Sequence, residues 1–303
     1  MPVADTILKN IILASQRTPF RARGGYSSID VSKQKTASDL DKAKVEAADH
    51  ERFYRYFPHH DIKGALQGAT VLDFGSGYGG RTVEYARAGA AEVYGCEPIA
   101  AHVNAGRALA SEQGLKNVQF DICGDFDIPY EDNMFDVAIT FDVLEHVADP
   151  RRSLAELHRV LKPSGVLFAV FPPYRGMFSH HLDYLTLAPG LHLMFKPQTI
   201  MRVVNRLLDS RFQQIEVPRH KVSKSYQGDR DILPMLNGMG VEDFKSNVET
   251  LFYFDSLDTV SVARHLVGNS SLTARLMEPL IKLPSAISEV FIFHICAVMR
   301  PKK

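Results

Sequence analysis

The most constraining feature of this chain is a short apolar run, Ala69 to Phe74, that stops on Gly75-Ser76-Gly77-Tyr78-Gly79-Gly80 and leads into a helix-compatible stretch reaching Ala88. Glycines at such a turn supply left-handed backbone and let a ligand approach the N–H groups at the helix start. The unit then repeats. Glu92 to Cys96 reads as a second strand, and Ile99 to Gln113 as a helix closed by Gly114. Val118 to Ile122 and Phe135 to Phe141 read as the third and fourth strands. Ser153 to Leu161 reads as a helix stopped by Pro163 and Gly165, and Val166 to Phe171 as a fifth strand ended by Pro172-Pro173. This alternation predicts an α/β fold, a parallel sheet covered on both faces.

The flanks are less regular. Residues 1–66 read as an N-terminal extension or lid, with a basic loop over 17–37 and a helix from Ser38 or Asp39 to about Phe57. Residues 174–235 read as an inserted substrate cap, and 67–173 with 236–303 as the core. The helix near 198–208 is also readable as a regular element of the sheet, with Phe212 to Val217 as its strand. A helix near 241–251, a strand near 252–260, a helical segment near 262–283 and a last strand, Val290 to Met299, complete the chain.

Lysine plus arginine equals aspartate plus glutamate at 35 each. A chain without basic surplus is a poor partner for nucleic acid. Cys96, Cys123 and Cys296 are scattered, which predicts neither a disulfide framework nor a zinc site. With no signal-peptide layout and no long apolar span, a soluble protein in a reducing, cytoplasmic setting is expected.

The glycine turn also satisfies the dinucleotide pattern G-x-G-x-x-G, and Glu97 stands 22 residues after Gly75, where a ribose-binding acid belongs. Asp73, two residues before Gly75, distinguishes the ligands. A carboxylate there repels a phosphate and welcomes a ligand carrying an ammonium group. Val71-Leu72-Asp73-Phe74-Gly75-Ser76-Gly77 resembles the first motif of class I S-adenosylmethionine-dependent methyltransferases. Gly124-Asp125-Phe126 resembles that family's adenine-binding element. Phe141-Asp142-Val143-Leu144-Glu145-His146-Val147 is similar to the signature after strand four in the branch with the quinone-biosynthesis enzymes. His158 to Leu167 matches its turn into strand five.

The resemblance implies a doubly wound, mostly parallel seven-stranded sheet with an antiparallel last strand, and S-adenosylmethionine as cofactor. The residues it assigns to that cofactor are Asp73, Gly75, Ser76, Gly77, Tyr78, Glu97, Pro98, Gly124, Asp125, Phe126, Phe141 and Asp142. Phe126 reads equally as core.

For catalysis the candidates are His146, at the open edge of the sheet, and Tyr174 and His181, just after strand five. His146 also reads as a structural residue at a helix start. His180, Asp183, Tyr184 and His192 are candidates for substrate binding; their spacing matches no known zinc motif, and no metal is expected. The expected reaction is in-line methyl transfer to a partly apolar small molecule, through O, N or C. The alternatives are other chemistry on S-adenosylmethionine, such as transfer of another arm or cyclisation, and a non-catalytic cofactor-binding protein.

Overall fold

A computed structural model describes residues 2–16, 37–213, 215, 221–262, 280 and 285–303. Nearly all of the basic loop and most of the 262–283 segment fall outside these residues, as do residues 214, 216 and 217 of the Phe212–Val217 stretch. Along the chain, α1 (Val3–Ser15) is followed by α2 (Asp39–Ala48), α3 (Glu51–Tyr54) and α4 (Ile62–Leu66). Next come β1 (Thr70–Phe74), α5 (Gly80–Arg87), β2 (Glu92–Glu97), α6 (Ala100–Glu112) and β3 (Val118–Ile122). Then follow β4 (Phe135–Phe141), α7 (Pro150–Val160) and β5 (Leu161–Phe171). The rest comprises α8 (Leu191–Met194), α9 (Pro197–Ser210), β6 (Ser223–Lys224), β7 (Asp231–Ile232), α10 (Val241–Val248), β8 (Phe252–Ser261), α11 (Ser285–Ser288) and β9 (Ile292–Pro301). Among the described residues no helix is long and apolar enough to cross a membrane.

The chain divides into two compact units. The sheet unit holds residues 36–171, 243–258 and 295–303. Its seven strands run in the order β3-β2-β1-β4-β5-β9-β8. The pairs β2–β3, β1–β2, β1–β4 and β4–β5 are parallel, and β5–β9 is antiparallel. This is the expected doubly wound, mostly parallel seven-stranded sheet, with its last strand reversed. Strand β4, Phe-Asp-Val-Ala-Ile-Thr-Phe, is buried at every position but Asp136, as a central strand covered on both faces requires. The strand order reverses at β1/β4, so the turns after these two strands open at the point where ligands bind such sheets.

Three local expectations are corrected. The predicted helix from 38 to 57 is two helices: Ser38 and Asp41 close a capping box at the start of α2, and the His50 ring donates to the Ala47 carbonyl (2.7 Å) where it ends. Phe53 and Phe57 still meet, with ring centroids 5.4 Å apart. Helix α7 begins at Pro150 rather than Ser153, because Asp149 caps it by accepting from the Arg151 N–H (3.0 Å) and proline suits the first helical position. Third, Cys96 and Cys123 are not separate thiols. They form a disulfide with Cα atoms 5.7 Å apart, and Cys296 is free and buried. Adjacent parallel strands β2 and β3 bring the two cysteines together despite their distance in sequence.

The helical unit holds residues 1–35, 172–242 and 259–294. Leu8 and Ile12 of α1 pack with Ile200, Val204, Leu207 and Leu208 of α9 and with Leu182, Leu185 and Leu191. The buried Asp5 carboxylate takes two hydrogen bonds from Arg202 (2.7 and 3.0 Å). Residues 3–15 therefore belong to this unit, whereas 39–66 belong to the sheet unit.

Candidate active site

The turn after β1 carries the first part of the site. Gly75, Gly77 and Gly79 have φ of 78°, 56° and 85°, values that a side chain opposes. At Gly75 a Cβ would also lie 2.2 Å from Val143, so the turn and the loop after β4 touch. The Gly75 and Ser76 N–H groups donate to the Cys96 carbonyl (2.8 and 3.1 Å), which ties the turn to the end of β2.

Three carboxylates gather here. Asp73 is 2% exposed and accepts from the Thr82 hydroxyl (2.6 Å). Burial pushes its carboxyl up to about 6, against the opposing pull of Arg81 and Thr82. Glu97 accepts from the N–H groups of Gly77 (3.2 Å) and Ile99 (3.3 Å), and its Oε1 lies 3.1 Å from His102 Nδ1. The third, Glu46 of α2, is not apparent as a site residue from the sequence. It accepts from the N–H groups of Tyr78 (3.4 Å) and Gly80 (3.2 Å). The N-cap of helix α5 is Gly79, which has no side chain to cap it, so Glu46 serves as its cap from another helix. The uncapped glycine was the available signal that some partner had to reach this helix start. The Tyr78 ring packs at a tilt against His102 (4.1 Å) under the Lys42 ammonium (4.9 Å).

At the second turn, Asp125 accepts from the Ala148 N–H (2.7 Å), and its carbonyl accepts from the Ser153 hydroxyl (2.6 Å). The Phe126 ring is half-buried beneath the Arg152 guanidinium, 3.7 Å from its centroid. Gly124 and Pro98 are exposed, as are the apolar Ile99 and Ile122 beside them. Phe141 is placed differently: it is buried among Phe53 (5.7 Å), Tyr56 (5.6 Å) and the Arg81 guanidinium (5.0 Å). After β4, Asp142 takes a left-handed φ of 57°, His146 is exposed, and His146 Nε2 stands 3.7 Å from Glu145 Oε1.

The helical unit gives its histidines other partners. His180 Nδ1 accepts from the Leu182 N–H (3.1 Å), so Nε2 carries the proton and donates to the Ala188 carbonyl (3.0 Å). Burial, with His192 beside it, pushes this imidazole down to about 3. His192 donates from Nε2 to the Tyr174 carbonyl (2.8 Å), and burial pushes it down to about 4. Both rings are therefore neutral and hold the 174–192 loop together. Tyr174 and Tyr184 pack against this unit's own hydrophobic core, with Arg230 over the Tyr174 ring (5.6 Å). His181 has a left-handed φ of 52°, and Asp183 is exposed.

The sheet-unit turns suit S-adenosylmethionine by a local test. The Ser76 hydroxyl is 1% exposed and has no hydrogen-bond partner among the described residues. An orphaned hydroxyl beside a buried carboxylate calls for a ligand with polar atoms and a cationic group. The comparisons agree. Residues 72–169 match the methyltransferase domain family. Norajmaline N-methyltransferase of Rauvolfia serpentina is 30% identical over 108 residues, 35% of this chain and 37% of that enzyme. Demethylmenaquinone methyltransferase of Renibacterium salmoninarum is 33% identical over 130 residues, 40% of this chain and 52% of that enzyme. The matches thus span less than two thirds of these relatives' own lengths. A solved S-adenosylmethionine-dependent methyltransferase from Mesorhizobium loti shares the fold, with a TM-score of 0.50, 13% identity, and coverage of 84% of this chain and 97% of that one. Over residues 72–169 the chain is similar to methyltransferase domains, and its sheet has the fold of that solved S-adenosylmethionine-dependent enzyme.

Proposed function

We propose that this protein transfers the methyl group of S-adenosylmethionine to a small, partly apolar acceptor. The observation that carries the reading is the buried Asp73 carboxylate beside the orphaned Ser76 hydroxyl, on a glycine turn too tight for side chains. When bound, S-adenosylmethionine supplies a methyl group already activated on a sulfonium, so the protein's tasks are alignment and exclusion of water.

In this reading Asp73 faces the cofactor's ammonium group. Glu97 and Asp125 accept hydrogen bonds from its hydroxyls and ring amine, while Ile99 and Phe126 flank the ring. Phe141 acts from behind, fixing the turn through its packing against Phe53 and Arg81. His146 is the base where the acceptor needs one, because it is exposed on the turn that adjoins Gly75 through Val143. His181 and Tyr174 are the further catalytic candidates, and Tyr184 and Asp183 the acceptor contacts. His180 and His192 shape their loop. Relatives named for N-methylation and for quinone methylation leave the methylated atom open. A cytoplasmic site belongs to the same reading; thiol buffers there would favour the open form of the Cys96–Cys123 pair.

Calorimetry with S-adenosylhomocysteine and with NAD tests the cofactor half. Binding of NAD in preference to S-adenosylhomocysteine overturns the reading. Radiolabelled methyl transfer to a panel of phenols, hydroquinones and amines tests the other half.

A further inference from the structure

Five acidic side chains are buried among the described residues: Asp5, Asp73, Glu97, Glu145 and Glu289. Four have partners within the protein. Asp5 has Arg202, Asp73 has Thr82, Glu97 has Gly77 and Ile99, and Glu289 accepts from the N–H groups of Arg175 (3.0 Å) and Val241 (3.3 Å). Glu145 differs. It is 3% exposed, and neither carboxyl oxygen has a hydrogen-bond partner among the described residues. The adjacent His146 places Nε2 3.7 Å from Glu145 Oε1, beyond hydrogen-bond range.

An unsatisfied buried carboxyl is costly, and a leucine of similar length would fill the space without that cost. A structural role therefore does not explain the residue. Its position does. Glu145 lies on the turn after β4, at the reversal of strand order, two residues from the Val143 side chain that touches Gly75.

We propose that Glu145 is an acceptor-binding residue that hydrogen-bonds a hydroxyl or amine group of the molecule to be methylated. This rests on the methyltransferase reading and narrows its substrate class. Burial, reinforced by the charge of Asp142, holds the Glu145 carboxyl well above the usual carboxylate range, which favours its neutral form. A neutral carboxyl both donates and accepts, which suits a hydroxyl or an uncharged amine. With Asp142 nearby, an acceptor presenting a carboxylate or phosphate at this point is repelled.

The test compares Glu145→Leu and Glu145→Gln with the wild type. Removing an unsatisfied acid raises the Tm of the ligand-free Leu variant by about 3 °C. A fall in Tm in both variants marks a structural acid and overturns the proposal. S-adenosylhomocysteine affinity stays within about threefold of the wild type in the Gln variant; loss of that affinity assigns Glu145 to the cofactor and also overturns it. A wild type that does not bind S-adenosylhomocysteine refutes the methyltransferase reading instead, whatever the variants do. Aniline and methylhydroquinone serve as acceptor probes. For a probe methylated by the wild type, the Gln variant loses at least about thirtyfold in kcat/KM with KM for S-adenosylmethionine unchanged, and retained turnover overturns the assignment. If neither probe is methylated, the Tm and affinity results decide. Millimolar Mg2+ that raises the Tm of the wild type but not of the Gln variant assigns the acid to a cation and overturns the proposal.

Discussion

Replacing Asp73 with asparagine separates stability from cofactor binding in opposite directions. In the folded protein the Asp73 carboxyl is raised from 3.8 to about 6, mainly by burial. A group raised on folding contributes stability that is full below its unfolded value and is lost as pH rises through its folded value. For Asp73 that loss runs between pH 3.8 and about 6 and amounts to about 3 kcal/mol. At pH 7.5 the wild type carries this cost, and Asp73→Asn relieves it. The ligand-free variant should be more stable by up to about 3 kcal/mol, or roughly 6 °C in Tm. Binding runs the other way. An ammonium group prefers the charged carboxylate, so wild-type affinity for S-adenosylhomocysteine falls below pH 6, by about tenfold per pH unit at the steepest. The variant lacks this slope and binds about 10- to 100-fold more weakly at pH 7.5, as loss of a hydrogen bond to a charged group predicts. Calorimetry from pH 5 to 8 and urea unfolding at the same pH values measure both quantities. Other groups that titrate in this range are common to both proteins, so the difference isolates Asp73. A variant that binds as tightly as the wild type, or keeps its pH slope, refutes the assignment. A variant destabilised at pH 7.5 refutes the energetic reasoning.

Gly75→Ala places a methyl group 2.2 Å from Val143 on a backbone with φ of 78°, and should weaken S-adenosylhomocysteine binding at least about tenfold; unchanged binding would mean that the turn relaxes freely. Thiol titration of denatured, unreduced protein should find only Cys296, and all three cysteines after reduction; three thiols without reductant would refute the bridge. For a separation of 27 residues, loop-closure entropy puts the bridge at about 3.5 kcal/mol, visible as a lower urea midpoint in the reduced protein. Glu46→Ala removes the cap on α5 and should cost about 1 kcal/mol in urea unfolding while loosening cofactor binding several-fold, and an unchanged midpoint would argue against the cap.

Much of the sheet unit is legible in sequence because its signals are local. A strand ends in glycines, Pro172-Pro173 stop the fifth strand, and apolar runs of strand length alternate with helices. The seven-stranded order and the reversed last strand came through family resemblance, since pairing over such separations leaves no local mark. The histidine cluster shows the limit from the other side. Its density invited a substrate-binding reading, but His180 spends both ring nitrogens on Leu182 and Ala188, and His192 donates to Tyr174. Which carbonyl a ring meets depends on how the loop folds, not on how many histidines it contains.

The disulfide shows how topology turns distant residues into neighbours at the cofactor turns. Cys96 immediately precedes Glu97, and Cys123 immediately precedes Gly124 and Asp125. Strands β2 and β3 are adjacent and parallel, with Glu97 facing Ile122 in register, so both cysteines stand where their strands give way to turns. Sequence spacing alone predicts three unrelated thiols. Once β2 and β3 are known to be neighbours, the register itself brings the pair within reach of each other. The same pairing joins the two turns that the proposed function assigns to the sugar and the base of one ligand. The Cys96 carbonyl also holds the Gly75 and Ser76 N–H groups, so all three turns that the proposed function assigns to the cofactor share one anchor at the end of β2.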